Sequence, residues 1–122
     1  MKHDWLTSII IKGYYNVYNK LGYGFLEKVY ENALMIELEK LGLFCERQKQ
    51  IKVFYDEKEV GNYFADIVVE GEVILELKAA NNLRKENEIQ LLNYLKATEI
   101  EIGLLFNFGE KPEFKRKIFT NT

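Results

Sequence analysis

The run FADIVVEGEVILELKAA, residues 64–80, limits the possible folds more than any other part of the chain. Two β-rich stretches, 62–69 and 72–79, flank Glu70-Gly71, and that pattern predicts a hairpin. With the turn centred on Gly71, Val69 faces Val73, Ile67 faces Leu75 and Asp66 faces Glu76. Facing residues of an antiparallel pair point to one side of the sheet, with Cβ atoms about 4.5–5.5 Å apart. Two like charges so placed repel, and a hairpin shaped for stability alone avoids them. A divalent cation between them reverses the sign. Lys78 joins the same patch because strand side chains repeat every second residue. A shift of register by one residue would separate Asp66 from Glu76 and leave Glu76 with Lys78. Alternation of this kind also marks the wet face of an ordinary half-buried strand. The surrounding VILELKAA is strongly apolar, however, as in a central strand covered on both faces, so a glutamate and a lysine there call for a further reason.

Two carboxylates and an ammonium group suit phosphodiester hydrolysis. Hard carboxylate oxygens hold Mg²⁺ (or Mn²⁺), which keeps several waters and takes other ligands from substrate phosphate. The metal activates a water and neutralises charge gathering on the phosphate oxygens. Lys78 would position that water or stabilise the developing charge. The main-chain carbonyl of Leu77, between Glu76 and Lys78, is a further candidate metal ligand.

Around this hairpin the periodicity predicts the order α-α-β-β-β-α-β-β. A first helix over about 4–20 carries Trp5, Ile9, Tyr14 and Val17, with Asp4 or Thr7 as cap. The segment 21–24 (LGYG) breaks it. A second helix over about 25–41 presents Leu26, Val29, Tyr30, Ala33, Leu34, Ile36 and Leu38, and Gly42 stops it. Ile51, Val53 and Tyr55 alternate as a strand that ends at the turn-like DEKE of 56–59. After the hairpin, residues 83–98 return to helical spacing through Ile89, Leu92 and Leu95. Residues 100–108 read as a buried strand, and a short strand over about 114–119 ends the series. Strand, helix, strand in succession favours a parallel pair with a right-handed crossover. The strand from Glu72 should therefore lie beside that from Ile100, with the hairpin partner antiparallel on its other side. This is an α/β fold with a mixed sheet flanked by helices.

At 122 residues the chain is expected to form one domain, residues 1–122. Its 48% apolar and 14% aromatic content argues against disorder. No apolar stretch approaches the roughly 18 residues of a spanning helix, and the N-terminus lacks a secretory pattern, so no membrane association is expected. The lone cysteine, Cys45, cannot form an internal disulfide and sits in an apolar run; it reads as a core residue of a cytoplasmic protein. A net charge of −2 is not that of a dedicated nucleic-acid binder. An enzyme holding its substrate partly through metal ions needs less positive charge. The basic groups Arg47/Lys49/Lys52, Arg84/Lys85 and Lys111/Lys115/Arg116/Lys117 each read first as solvated faces. His3 has no metal-ligand partners in its pattern and is assigned no role.

Asp66 followed by Glu76-Leu77-Lys78 resembles the PD-(D/E)XK nuclease signature. Gly24-Phe25-Leu26-Glu27-Lys28-Val29-Tyr30 resembles the motif of the GxxExxY family of small bacterial and archaeal proteins, which is grouped with those nucleases. The likeness continues through 63–66 (YFAD), 90–95 (QLLNYL) and 103–109 (GLLFNFG), and so covers roughly residues 5–119. One departure is that Ala65 stands where the signature has proline. The resemblance implies a restriction-endonuclease-like core and a metal-dependent nuclease acting on DNA, with Asp66 and Glu76 as ligands and Lys78 positioning the water. It also implies that Glu27 is the first-helix acid approaching the metal, and that Gln90, one helical turn from Tyr94, is a catalytic residue near the active-site strand that contacts substrate or Lys78. An acid in the first turn of a helix is also favoured by the helix dipole alone, and Tyr30 reads as core. A catalytically silent nuclease-like module that binds nucleic acid or a protein partner is the alternative. A homodimer would let two sites address two strands.

Overall fold

The computed structural model describes residues 3–120. Its elements follow the expected order: α1 (Asp4–Leu21), α2 (Glu27–Lys40), β1 (Cys45–Tyr55), β2 (Lys58–Val69), β3 (Val73–Lys78), α3 (Lys85–Lys96), β4 (Ile102–Phe108) and β5 (Pro112–Ile118). They build one five-stranded sheet, ordered β1-β2-β3-β4-β5. β3 and β4 run parallel, and every other neighbouring pair is antiparallel. α3 is the crossover between the parallel strands, and β2 lies on the far side of β3.

Helices cover both faces of the sheet, which explains why β3 and β4 read as near-continuous apolar runs. Val73, Leu75 and Leu77 of β3 pack with Leu104 and Phe106 of β4 beneath α1 and α2. Ile74 and Leu105 point the other way, against Leu91, Tyr94 and Leu95 of α3. Glu76 and Lys78 share the parity of Ile74 and so belong to the α3 side.

Each helix buries a narrower stripe than its apolar content suggests. α1 seats Leu6, Ile10, Tyr14 and Val17, whereas Trp5 is 62% exposed. α2 seats Tyr30, Leu34 and Leu38 at a spacing of four, and Leu26, Val29 and Ile36 remain exposed. A regular helix shows only one side to the sheet, so apolar residues off that line stay in water. The residue before α1 is His3, whose side chain makes no cap; Thr7 instead donates back to the His3 and Asp4 carbonyls. α1 is anchored by aromatic stacking. The Tyr14 ring lies 4.3 Å from Phe106, and its hydroxyl donates to the Asn107 carbonyl and accepts the Glu113 N–H at 2.9 Å.

β1 begins at Cys45, six residues before the predicted alternation. Its first half, Glu46 to Gln50, carries polar side chains on both faces and so lacks a period-two signal. β1 and β2 form a long hairpin closed by Asp56 and Glu57, both left-handed (φ 49° and 65°), as a two-residue turn of this hand requires. Its outer half projects past the sheet and leaves Phe54, Tyr55, Val60, Tyr63 and Phe64 exposed.

Candidate active site

The β2–β3 ladder has the expected register, with Val69 opposite Val73, Val68 opposite Ile74 and Ile67 opposite Leu75. It then stops. Asp66 and Glu76, the next pair in that register, do not face each other as ladder partners. The strands part, and the two carboxylates fill the gap by taking main-chain donors. The Asp66 N–H donates to Glu76 Oε2 at 2.9 Å, and the Leu77 N–H donates to Asp66 Oδ2 at 2.8 Å. The two acids are thus adjacent as expected, but linked through main-chain donors rather than as a ladder pair. Each acid closes part of the backbone that the other strand leaves unpaired.

Glu76 is only 4% exposed, and Asp66 is half-buried. Burial pushes the Glu76 carboxyl up to about 8, with the charge of Asp66 as the next cause. Asp66 is raised too, first by burial and then by nearby acids including Glu31 and Glu27, against the Leu77 N–H and Lys78, which lower it. Because the charge of Asp66 is among the causes that raise Glu76, the two acids release their protons as a pair. Lys78, the partly exposed last residue of β3, is close enough to favour ionisation of both.

Glu27 opens α2 in an exposed position and is near enough for its charge to raise both carboxyls. Gln90 is half-buried on α3, and no hydrogen bond joins it to Lys78 among the described residues. Tyr94, one turn on, is buried; its hydroxyl is pushed up to about 12 by burial, then by the charges of Glu76 and Asp66. α3 thus brings Tyr94 within electrostatic reach of the acids, and Gln90 lines the same groove as Tyr94. The Leu77 carbonyl also opens on the gap. In an extended strand a residue directs its N–H and C=O towards the same neighbour, and the Leu77 N–H points at Asp66.

Two site neighbours were not anticipated. Gln48 interrupts the β1–β2 pairing with a left-handed backbone (φ 50°), and its Nε2 donates to Glu31 Oε1 at 2.8 Å while lying 3.5 Å from Asp66 Oδ1. Glu31 is 5% exposed and also meets Lys28 at 2.9 Å and Arg47 at 3.7 Å. Its spacing of three and seven from Leu34 and Leu38 puts an acid on an apolar face, a signal present in the sequence. Nothing in the sequence marks Gln48.

The donor set fits a hard divalent cation. Asp66 and Glu76 supply hard carboxylate oxygens, each tied to a main-chain N–H of the neighbouring strand, and no group of three or more His, Cys, Asp or Glu suited to enclosing a metal occurs among the described residues. Mg²⁺ needs only one or two carboxylates, with waters and phosphate oxygens completing its shell. On the same side as Glu76, a groove of about 820 Å³ runs between the projecting hairpin and α3, lined in part by Tyr63, Gln90, Asn93 and Tyr94.

A profile of the PD-(D/E)XK nuclease superfamily matches residues 4–117. No curated protein sequence matches the chain. Among solved structures, the one titled "Crystal structure of SSO0001" superposes with a TM-score of 0.60 at 14% identity over 79% of this chain. The chain spans about half, 52%, of that structure's length. At that identity the likeness concerns the fold, a mixed five-stranded sheet flanked by helices in the restriction-endonuclease-like arrangement. With nearly its whole length matched by the family profile, this chain belongs to the PD-(D/E)XK nuclease superfamily.

Proposed function

We propose that this chain is a Mg²⁺- or Mn²⁺-dependent nuclease that hydrolyses phosphodiester bonds in DNA. The observation that carries the reading is the end of the β2–β3 ladder, where buried Glu76 and half-buried Asp66, both raised by their surroundings, each take a main-chain N–H of the other strand near Lys78. Such a pair costs stability in the metal-free fold, and a cation shared between the two relieves it. Asp66, Glu76 and the Leu77 carbonyl would hold the ion, with Glu27 approaching from α2. When bound, the ion supplies charge neutralisation on the phosphate and acidifies a coordinated water.

The chain's own groups do the rest. The Leu77 and Asp66 N–H donors fix one oxygen of each carboxylate. Gln48, held by Glu31, steadies Asp66 from the opposite side. Lys78 offers a charged donor to the attacking water or the phosphate oxygens. Gln90 is a substrate contact from α3.

Within the superfamily, Gly24, Glu27 and Tyr30 support placement in the GxxExxY group. Tyr30 does structural work there: its hydroxyl donates to the Gly22 carbonyl at 2.8 Å and its ring stacks on Phe108 at 4.1 Å. We read residues 1–122 as one nuclease-like domain. The buried thiol Cys45 accords with a cytoplasmic setting, and no helix of the described residues is long and apolar enough to cross a membrane. A homodimer would present two sites to two strands.

Thermal unfolding with and without Mg²⁺ tests the binding half of this reading. At about 100 times the Kd, a ligand of the folded state adds about 2.7 kcal/mol. The melting temperature should rise with Mg²⁺ and stay fixed in Glu76→Gln. A wild-type curve indifferent to Mg²⁺ and Mn²⁺ would count against the enzyme.

A further inference from the structure

The groove between the β1–β2 hairpin and α3 has a composition that metal chemistry does not explain. Phe54, Val60 and Tyr63 of the hairpin face Ile89 of α3 across it, and each of the four is 47–63% exposed. Tyr94 joins the groove to the acidic site, since it lines the groove, lies 5.7 Å ring to ring from Tyr63, and feels the charges of Glu76 and Asp66. Lys52 and Lys96 stand at the groove with Glu86, its one acid, and the amides of Gln90 and Asn93 reach the same space.

We propose that this groove is a subsite for an unpaired base of the nucleic-acid strand whose scissile phosphate lies at Glu76 and Lys78. The proposal rests on the nuclease reading and narrows its substrate to strands that are single, or locally opened, beside the cut. Aromatic and apolar walls offer a planar base the stacking faces it loses on leaving a helix. Lysines at the edge suit the backbone phosphates. Side-chain amides can bond the edges of an extruded base. The volume, about 820 Å³, lies in the range of roughly 300–1,000 Å³ that encloses small organic ligands. A base inside a duplex has both faces covered by its neighbours and cannot enter without being swung out.

The test is binding of labelled single-stranded DNA, single-stranded RNA and blunt duplex to the intact protein in chelator, read by fluorescence anisotropy. Both single strands share the unpaired base, and their relative affinity shows which sugar is preferred. Single strands should bind more tightly than duplex. Tyr63→Ser should weaken them about 5- to 150-fold, as loss of one stacked base predicts, with Tyr63→Phe within about twofold of wild type. Circular dichroism melting checks that both variants fold. Equal affinity for single strand and duplex, no binding, or a Tyr63→Ser affinity unchanged from wild type would overturn the subsite; the last is the result expected if a protein segment or a second copy covers these walls. Metal-dependent cutting by a protein indifferent to Tyr63→Ser would remove the subsite and keep the nuclease. Tyr63-dependent binding without cutting of any strand would do the reverse.

Discussion

Replacing Glu76 with glutamine should stabilise the metal-free protein, and should do so only above mildly acidic pH. The Glu76 carboxyl is pushed from 4.5 up to about 8, chiefly by burial and then by Asp66. In the unfolded chain it ionises near its ordinary value, so between those two pH values the folded state binds more protons than the unfolded one. Stability then falls as pH rises, because its slope follows the protons bound by the unfolded state minus those bound by the native state. Each unit of the window is worth about 1.4 kcal/mol. The full interval bounds the loss at about 5 kcal/mol, and sharing of the proton with Asp66 brings the expected figure to about 3 kcal/mol. A glutamine oxygen can still accept the Asp66 N–H, so the substitution removes the charge and keeps that bond. Urea unfolding in chelator at roughly pH 5 and pH 8 would give the difference from the midpoints at constant m-value. Glu76→Gln should match wild type near pH 5 and exceed it by about 3 kcal/mol near pH 8, about 10 °C in melting temperature. A variant less stable than wild type at pH 8, or a gain independent of pH, would refute the claim that ionisation of this buried pair opposes folding.

Two further outcomes test the frame that holds the site. Tyr14→Phe should cost about 1–3 kcal/mol in urea unfolding, because the buried Asn107 carbonyl and the Glu113 N–H lose their partner. Gly103→Ala should cost about 1–3 kcal/mol by the same assay, since a Cβ there would sit 2.7 Å from Leu91 Cδ1 and press α3 away from β4.

Much of the fold could be read from local chemistry. The Glu70-Gly71 turn, both residues left-handed, sets the register of three β2–β3 pairs, and the apolar runs of β3 and β4 mark strands covered on both faces. The first half of β1 is not legible in the sequence because Glu46 to Gln50 have no buried face to impose a period. The buried stripes on α1 and α2 are narrower than their apolar content, because that content does not say which side meets the sheet. At the site, the neighbourhood of Asp66 and Glu76 followed from register, but the parting of the strands did not. It arises because each carboxylate competes for a main-chain N–H of the other strand, which pairing rules do not foresee. Gln48 reaches Glu31 across 17 residues and Asp66 across 18, contacts set only by the packing of α2 on the sheet.

The most direct measurement is cleavage of labelled single- and double-stranded DNA by the purified protein with Mg²⁺ or Mn²⁺, with chelator, and with Lys78→Ala. Cutting that requires the metal and is lost in Lys78→Ala, whose fold and metal binding persist, is the predicted result. Cutting that survives chelator or the loss of Lys78, or metal binding and cutting both absent in the wild type, would contradict it.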